Sequence, residues 1–173
     1  MSKKRQDLIS QAERLFYEHG FHSIGLKKII EEANVALMTM YNHFNSKEEL
    51  VLEVLKYREE KYFSLLQKVV KKEADVNTNA QLIAKAHLDW IATHKKGCMF
   101  LRAKEEYPAE ENQINQYVIT HKKTFLTFLE SLHFSQNESI RLSMLLEGAT
   151  SLAEVVDWNK VSKELLYTVD HAI

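Results

Sequence analysis

His87, His94 and Cys98 are residue types that hold metal ions or sense redox change, and they fall close together in this 173-residue chain. The two histidines stand seven apart on one predicted helix face, too far to share an ion without ligands from elsewhere. Structural histidines and a small buried cysteine are the simpler reading, so no metal and no cofactor is expected. Glu105-Glu106 and Glu110-Glu111 are paired carboxylates of the kind used in acid/base chemistry. They sit at predicted helix ends, where solvated carboxylates are ordinary. Glu147 interrupts Leu145-Leu146 and Ala149 in an apolar helix; turned inward, it needs a protein cation or a polar ligand. Trp90, Phe100, Tyr107, Tyr117 and His121 would line a small-molecule pocket together with Tyr62, His87 and Glu147, although each aromatic residue taken singly is equally a core residue. There is no glycine-rich phosphate loop, nucleophile elbow or HExxH motif, and no catalytic set, so the chain does not read as an enzyme.

A different kind of chemistry is concentrated in residues 24–50, IGLKKIIEEANVALMTMYNHFNSKEEL. Leu26, Ile29, Ile30 and Ala33 lie on one helical face, with Gly25 before them and Lys27-Lys28 on the outer side. Asn34 suits a turn that needs positive φ. A short third helix is expected from about residue 36 to 44. Two helices joined by so short a turn describe a helix-turn-helix, a geometry suited to reading the DNA major groove. Ser46 and Glu49 form a capping box that opens a long helix through Leu50, Val51, Val54, Leu55, Tyr62, Leu65, Leu66, Val69 and Val70.

The remaining elements are helical too. Four Gly and one Pro are too few for a many-stranded sheet, and the abundance of Leu, Glu, Lys and Ala favours helix. Leu8, Ile9, Ala12, Leu15 and Phe16 define a first helix that ends at Gly20. After an interruption at residues 71–79, Thr78 and Gln81 suggest a capping box. The helix behind it is expected to finish with His94, Lys95 and Lys96 in its last turn and Gly97 beyond. Tyr107-Pro108 is read as the start of another helix. Ser135 to Glu138 caps the next, and a final helix carries Val161, Leu165, Leu166, Tyr167 and Val169.

Composition sets wider bounds. With 45% hydrophobic and 27% charged residues the chain is an ordinary globular one. It carries no apolar run long enough to span a membrane, and its one cysteine fits a reducing cytoplasm. The formal charge of −1 conceals a bias: residues 1–47 hold seven Lys/Arg against five Asp/Glu. The excess has the sign that a nucleic-acid binder needs, but it is small.

Ala12, Leu15-Phe16, Gly20-Phe21, Ile29-Ile30, Ala33, Val35, Thr39-Met40-Tyr41, His43-Phe44 and Ser46-Lys47-Glu48-Glu49-Leu50 together resemble the amino-terminal domain of TetR-family transcriptional regulators. The resemblance covers about the first third of the chain. It implies an all-α fold with a three-helix helix-turn-helix domain over 1–46. An effector-binding and dimerisation domain would follow over 47–173, with the helix 47–72 as the link. It implies a cytoplasmic homodimer, paired through the last two long helices at about 136–171. The dimer would bind a palindromic double-stranded DNA operator, act as a repressor, and be released by an unknown small-molecule effector. Val35, Met40 and Phe44 match buried positions, held against Phe16 and Ile29-Ile30. Tyr41 and His43 match positions near the DNA backbone, Lys47 matches a phosphate-contacting lysine, and Ala36, Leu37, Met38, Thr39 and Asn42 would face the groove floor. Lys27, on the outer face of the second helix, is a further DNA-binding candidate. Periodicity alone would instead bury Leu37 with Met40, Tyr41 and Phe44. Two departures stand out: Ala36 replaces the usual hydroxyl N-cap, and Leu37-Met38 makes the base-facing surface apolar. A helical adaptor that keeps the fold but has lost specific operator binding is the alternative.

Overall fold

The computed structural model describes residues 2–173, and every regular element in them is an α-helix. By backbone packing they form two compact units, one of residues 2–60 with 99–119 and the other of residues 61–98 with 120–173. The boundary expected at 46/47 therefore falls inside the first unit, which also takes in a later stretch of sequence.

In the first unit, helix α1 (Lys3–His19) is capped by the Ser2 hydroxyl, which accepts from the Arg5 N–H at 3.3 Å. Its buried face is Leu8, Ile9, Ala12, Leu15 and Phe16, as its periodicity requires. Glu13 sits on that same face. It is buried because α4 (Lys47–Val69) supplies Arg58, whose Nη1 donates to Glu13 Oε1 at 3.0 Å. The guanidinium also lies 4.5 Å from the centre of the Tyr17 ring. With Arg58 only 3% and Glu13 8% exposed, neither charge has water to replace its partner.

Helix α2 (Leu26–Glu32) ends in a complete left-handed cap. Asn34 sits at φ 49°, its N–H bonds Glu31 O at 3.2 Å, and the Val35 N–H reaches back to Ile30 O at 3.0 Å. Helix α3 (Leu37–Tyr41) is shorter than the expected 36–44 and has no side-chain cap at Ala36. Met40 and Phe44 are fully buried and anchor it. Leu37 and Tyr41 are not buried, contrary to the periodicity reading, because so short a helix offers only one inward position per turn.

The capping residues of α4 differ slightly from the expected box. Ser46 Oγ accepts from the Glu49 N–H at 3.1 Å, but Glu49 reaches past Ser46 and takes the N–H of Asn45 at 2.7 Å. Helix α4 is about 35 Å long at 1.5 Å per residue. It stops at Val69 rather than 72, because the buried Asn79 side chain brackets Lys71: Oδ1 accepts its N–H and Nδ2 donates to its carbonyl, each at 2.9 Å. The first unit is completed by α6 (Met99–Glu106) and the start of α7 (Gln113–Glu130). Pro108 does not open a helix. Residues 107–112 form a connection whose Tyr107 and Pro108 carbonyls accept from Asn115 Nδ2 at 3.0 and 3.1 Å.

In the second unit, α5 (Val76–Thr93), α8 (Gln136–Leu152) and α9 (Trp158–Ala172) pack on one another. Their core includes Leu66, Ile83, Leu129, Leu142, Leu146, Leu165 and Val169. Asp75, not Thr78, caps α5. Its carboxylate accepts both the N–H and the hydroxyl of Thr78 at 2.8 Å, so the Thr78 hydroxyl is engaged as a donor. The helix closes at Thr93, before the basic residues, because His94 turns back to bond Trp90 O at 2.7 Å and stacks on the Trp90 ring at 4.2 Å. The Ser135 capping box on α8 forms as expected. Among the described residues no helix is long and apolar enough to cross a membrane.

Arg58→Met leaves Glu13 buried without its cation. Urea denaturation should show a loss of about 3–5 kcal/mol for the unit that contains it. Ala36→Ser restores a hydroxyl at the start of α3 and should gain about 1 kcal/mol in the same measurement.

Candidate nucleic-acid interface and inner polar cluster

Helix α3 presents an outer surface that its anchors leave free. Ala36 and Asn42 are exposed, Leu37 is 48%, Met38 70% and Tyr41 45% exposed, and Thr39 is half-buried. Two large aliphatic side chains held outward by a fully buried Met40 and Phe44 can touch only something brought to them. His43 is half-buried, its Nε2 3.3 Å from the Ser2 hydroxyl, which ties the amino terminus to the end of this segment.

Cations flank that surface unequally. Lys27 is exposed on α2, whereas Lys28 is engaged with Glu32, which Arg14 also pairs at 2.8 Å. Lys28, and then Arg14, hold the Glu32 carboxyl below its usual range. Lys3 and Lys4 are exposed in the first turn of α1, but Arg5 is committed to Glu53 and lies over the Phe44 ring at 5.2 Å. Lys47 begins α4 half-buried, 6.0 Å from the Phe16 ring centre. Burial draws its pKa down, with Glu48 and Glu106 opposing, so the cation at this helix start is partly desolvated. A desolvated cation at a helix amino end favours an anion.

The residues expected around a ligand are divided between the two units. Phe100 is buried and Tyr117 half-buried in the first unit, where the Tyr117 hydroxyl donates to Glu59; burial and then that carboxylate push the phenol upward. Tyr62, His87, Trp90, His121 and Glu147 belong to the second unit. There the Tyr62 hydroxyl donates to His87 Nδ1 at 2.8 Å. His87 Nε2 donates to Thr150 Oγ1 at 2.8 Å and approaches Leu146 O at 3.1 Å. Tyr62 also packs on Trp90 at 5.4 Å, and His121 on Phe63 at 6.1 Å. Burial raises the Tyr62 phenol, with Glu147 adding to it, and lowers His87 to about 4. His87 is thus a neutral imidazole with both nitrogens engaged. His94 is committed to Trp90 and does not join it.

Glu147 has the protein cation it required: Lys122 pairs with it, and the Cys98 thiol stands 3.6 Å from Lys122 Nζ and 3.9 Å from Glu147 Oε1. Burial works against the Lys122 charge, but Cys98 and Glu147 outweigh it and raise the ammonium above its ordinary range. Among the described residues no group of three or more His, Cys, Asp or Glu is arranged to hold a metal ion. Glu105, Glu110 and Glu111 are exposed, whereas Glu106 turns inward.

Sequence reasoning passed over Arg58 and Glu13, although each is a charge set in an apolar helical stripe. It also passed over Asn79, whose role depends on a carbonyl eight residues away.

These features define a helix-turn-helix protein with a further bundle of helices. The sequence profile described as "Bacterial regulatory proteins, tetR family" matches residues 8–54. Over the whole chain the fold is similar to a TetR-family transcriptional regulator from Streptomyces coelicolor, with a TM-score of 0.89 and 27% identity, covering 97% of this chain and 93% of that one. Two curated relatives are the transcriptional activator FasR of Mycolicibacterium smegmatis and the transcriptional repressor AcnR of Corynebacterium diphtheriae. The first is 27% identical over 55% of this chain and 43% of its own length, the second 27% over 59% and 52%. The chain thus spans about half the length of these relatives. Its amino-terminal helices match the TetR-family profile, and its whole fold is similar to that of a solved TetR-family regulator.

His87 supplies a pH test. Its folded pKa of about 4 lies below the unfolded value near 6.5, so the unfolded chain binds more protons between these limits. Stability is complete above about pH 6.5 and falls toward pH 4, by about 3 kcal/mol in total for this one group. His87→Gln should flatten that part of the stability–pH curve when denaturation midpoints are followed from pH 7 to 4.

Proposed function

We propose that this protein is a homodimeric transcriptional repressor that binds a palindromic operator through α3 and releases it when a small molecule occupies the second unit. The observation that carries the reading is the α3 surface: Leu37 and Met38 are held outward on a helix whose scaffold positions match the family. Leu37 and Met38 contact thymine methyl groups, Thr39 and Asn42 supply the hydrogen bonds to base edges, and Ala36 allows close approach. Tyr41, His43, Lys27 and Lys47 meet the phosphate backbone. With so few polar base contacts, DNA shape contributes to selectivity. Two copies read half-sites about 34–36 Å apart on one face of the duplex.

Support for the second copy comes from α8, α9 and their connection. Ile140, Met144, Leu152, Val155 and Val156 are exposed, as is Tyr167, and Gly148 lies between Met144 and Leu152 with open space where a Cβ would stand. An apolar stripe with a glycine at its middle fits an isologous helix-to-helix contact with itself. We assign the effector to Tyr62, His87, Trp90, His121 and Glu147, with the Lys122–Glu147 pair as its polar handle. Phe100 and Tyr117, in the other unit, act there as packing and as a partner of Glu59. The ligand acts by favouring a conformation with a different spacing of the two α3 helices.

Selection of bound genomic fragments followed by a salt titration tests the reading. A preferred palindrome and a steep logarithmic loss of affinity with salt are expected, and binding without either supports an adaptor instead. Leu37→Ala with Met38→Ala should change the selected sequence while leaving the salt slope intact. Met144→Glu with Leu152→Glu should give a monomer by sedimentation and weaken operator binding by at least about tenfold.

A further inference from the structure

We infer that Glu106, some sixty residues beyond α3 in the sequence, is a positioning residue of the DNA-reading head: its carboxylate clamps the loop between α1 and α2 and so fixes how the helix-turn-helix is presented. This deepens the proposed function and rests on the reading of α3 as the DNA-contacting helix.

The loop offers two amides that no helix uses. The Phe21 N–H donates to Glu106 Oε1 at 3.0 Å and the His22 N–H donates to Oε2 at 2.6 Å, so each carboxylate oxygen takes one backbone donor. His22 Nε2 bonds the Glu106 carbonyl at 2.6 Å, which makes the contact reciprocal. The next residue, Tyr107, packs its ring 4.7 Å from His22 and 6.1 Å from Phe21. One turn earlier on α6, Arg102 Nη1 donates to Tyr17 O at 2.8 Å, closing a carbonyl in the last turn of α1.

The loop is shaped to receive this group. Gly20 sits at φ 86°, and a Cβ there would stand 2.9 Å from Glu106 Oε1. Phe21 is fully buried and Ile24 nearly so, and α2 begins two residues after Ile24. The path between the clamped amides and the start of α2 is therefore short and anchored. A shift of Glu106 moves the loop, and with it the helix that α3 packs upon. The carboxylate also lies within electrostatic reach of Lys47, the cation we assign to a phosphate. Glu106 touches no base and no phosphate in this reading; it acts through the loop.

The test uses the full-length chain with Glu106→Ala and Glu106→Gln. Three readouts are followed: amide hydrogen exchange, binding of the selected operator fragment across a salt series, and the thermal midpoint. The expected result for Glu106→Ala is rapid exchange at Phe21 and His22, with exchange at Leu142 in the second unit unchanged. Affinity per folded molecule should fall about tenfold, the scale of losing charge-assisted hydrogen bonds. The salt slope should stay at its wild-type value, because no phosphate contact is removed. Glu106→Gln keeps one acceptor oxygen and should fall between wild type and Ala, and it serves if the Ala variant does not fold. Unchanged exchange at Phe21 and His22 overturns the clamp. Rapid exchange with wild-type affinity reduces Glu106 to a loop cap and overturns its positioning role. A shallower salt slope makes it part of the contact surface and also overturns that role. A wild-type chain that binds no DNA overturns the head reading, and this inference with it.

Discussion

The first unit depends on one buried ion pair. Glu13 and Arg58 lie where α1 and α4 meet, almost without water, and each offsets part of the other's burial cost there. Apolar packing alone would let two helices slide or rotate at small cost. A guanidinium held at 3.0 Å from one carboxylate oxygen and 4.5 Å from the Tyr17 ring fixes both register and rotation. Everything that α1 carries inherits that setting: the cap on its last turn, the loop at Gly20, and the floor on which Met40 and Phe44 rest. The pair adds definition rather than net stability.

The second unit uses uncharged hydrogen bonds for a similar end. Tyr62, His87, Thr150 and the Leu146 carbonyl join α4, α5 and α8 in a chain whose donors and acceptors are all matched. Each proton has one place to be, since the raised phenol and the lowered imidazole both keep neutral forms. Beside this chain, Lys122 and Glu147 pair at partly exposed positions. One side of the cluster is thus fixed and the other remains accessible to water and solutes.

Much of this was legible in the residues. Helix existence followed from periodicity, and the left-handed turn followed from Asn34 because few side chains tolerate φ 49°. The Ser135 box was readable because both of its bonds are local. Glu147 announced its need for a partner by interrupting an apolar stripe. The misplaced helix ends share one cause: each was decided by a polar or ring side chain that hydrophobic periodicity does not weigh. Helix α4 ends where Asn79 reaches Lys71, α5 begins at Asp75 because a carboxylate outcompetes a hydroxyl, and α5 ends where the His94 ring finds Trp90. Leu37 was ambiguous for another reason, since a five-residue helix is too short for periodicity to separate its faces. The inclusion of residues 99–119 in the first unit left no local trace at all.

The short third helix divides labour among adjacent residues with unusual sharpness. Met40 and Phe44 carry its attachment, while Leu37 and Met38 carry almost none, being 48% and 70% exposed. Substitutions at the outward pair therefore meet little resistance from folding, and substitutions at the inward pair meet nearly all of it. A lineage can rewrite the outward letters one at a time while every intermediate stays folded. The surface that faces a partner is free to drift toward new targets because its neighbours, one turn of helix away, are not.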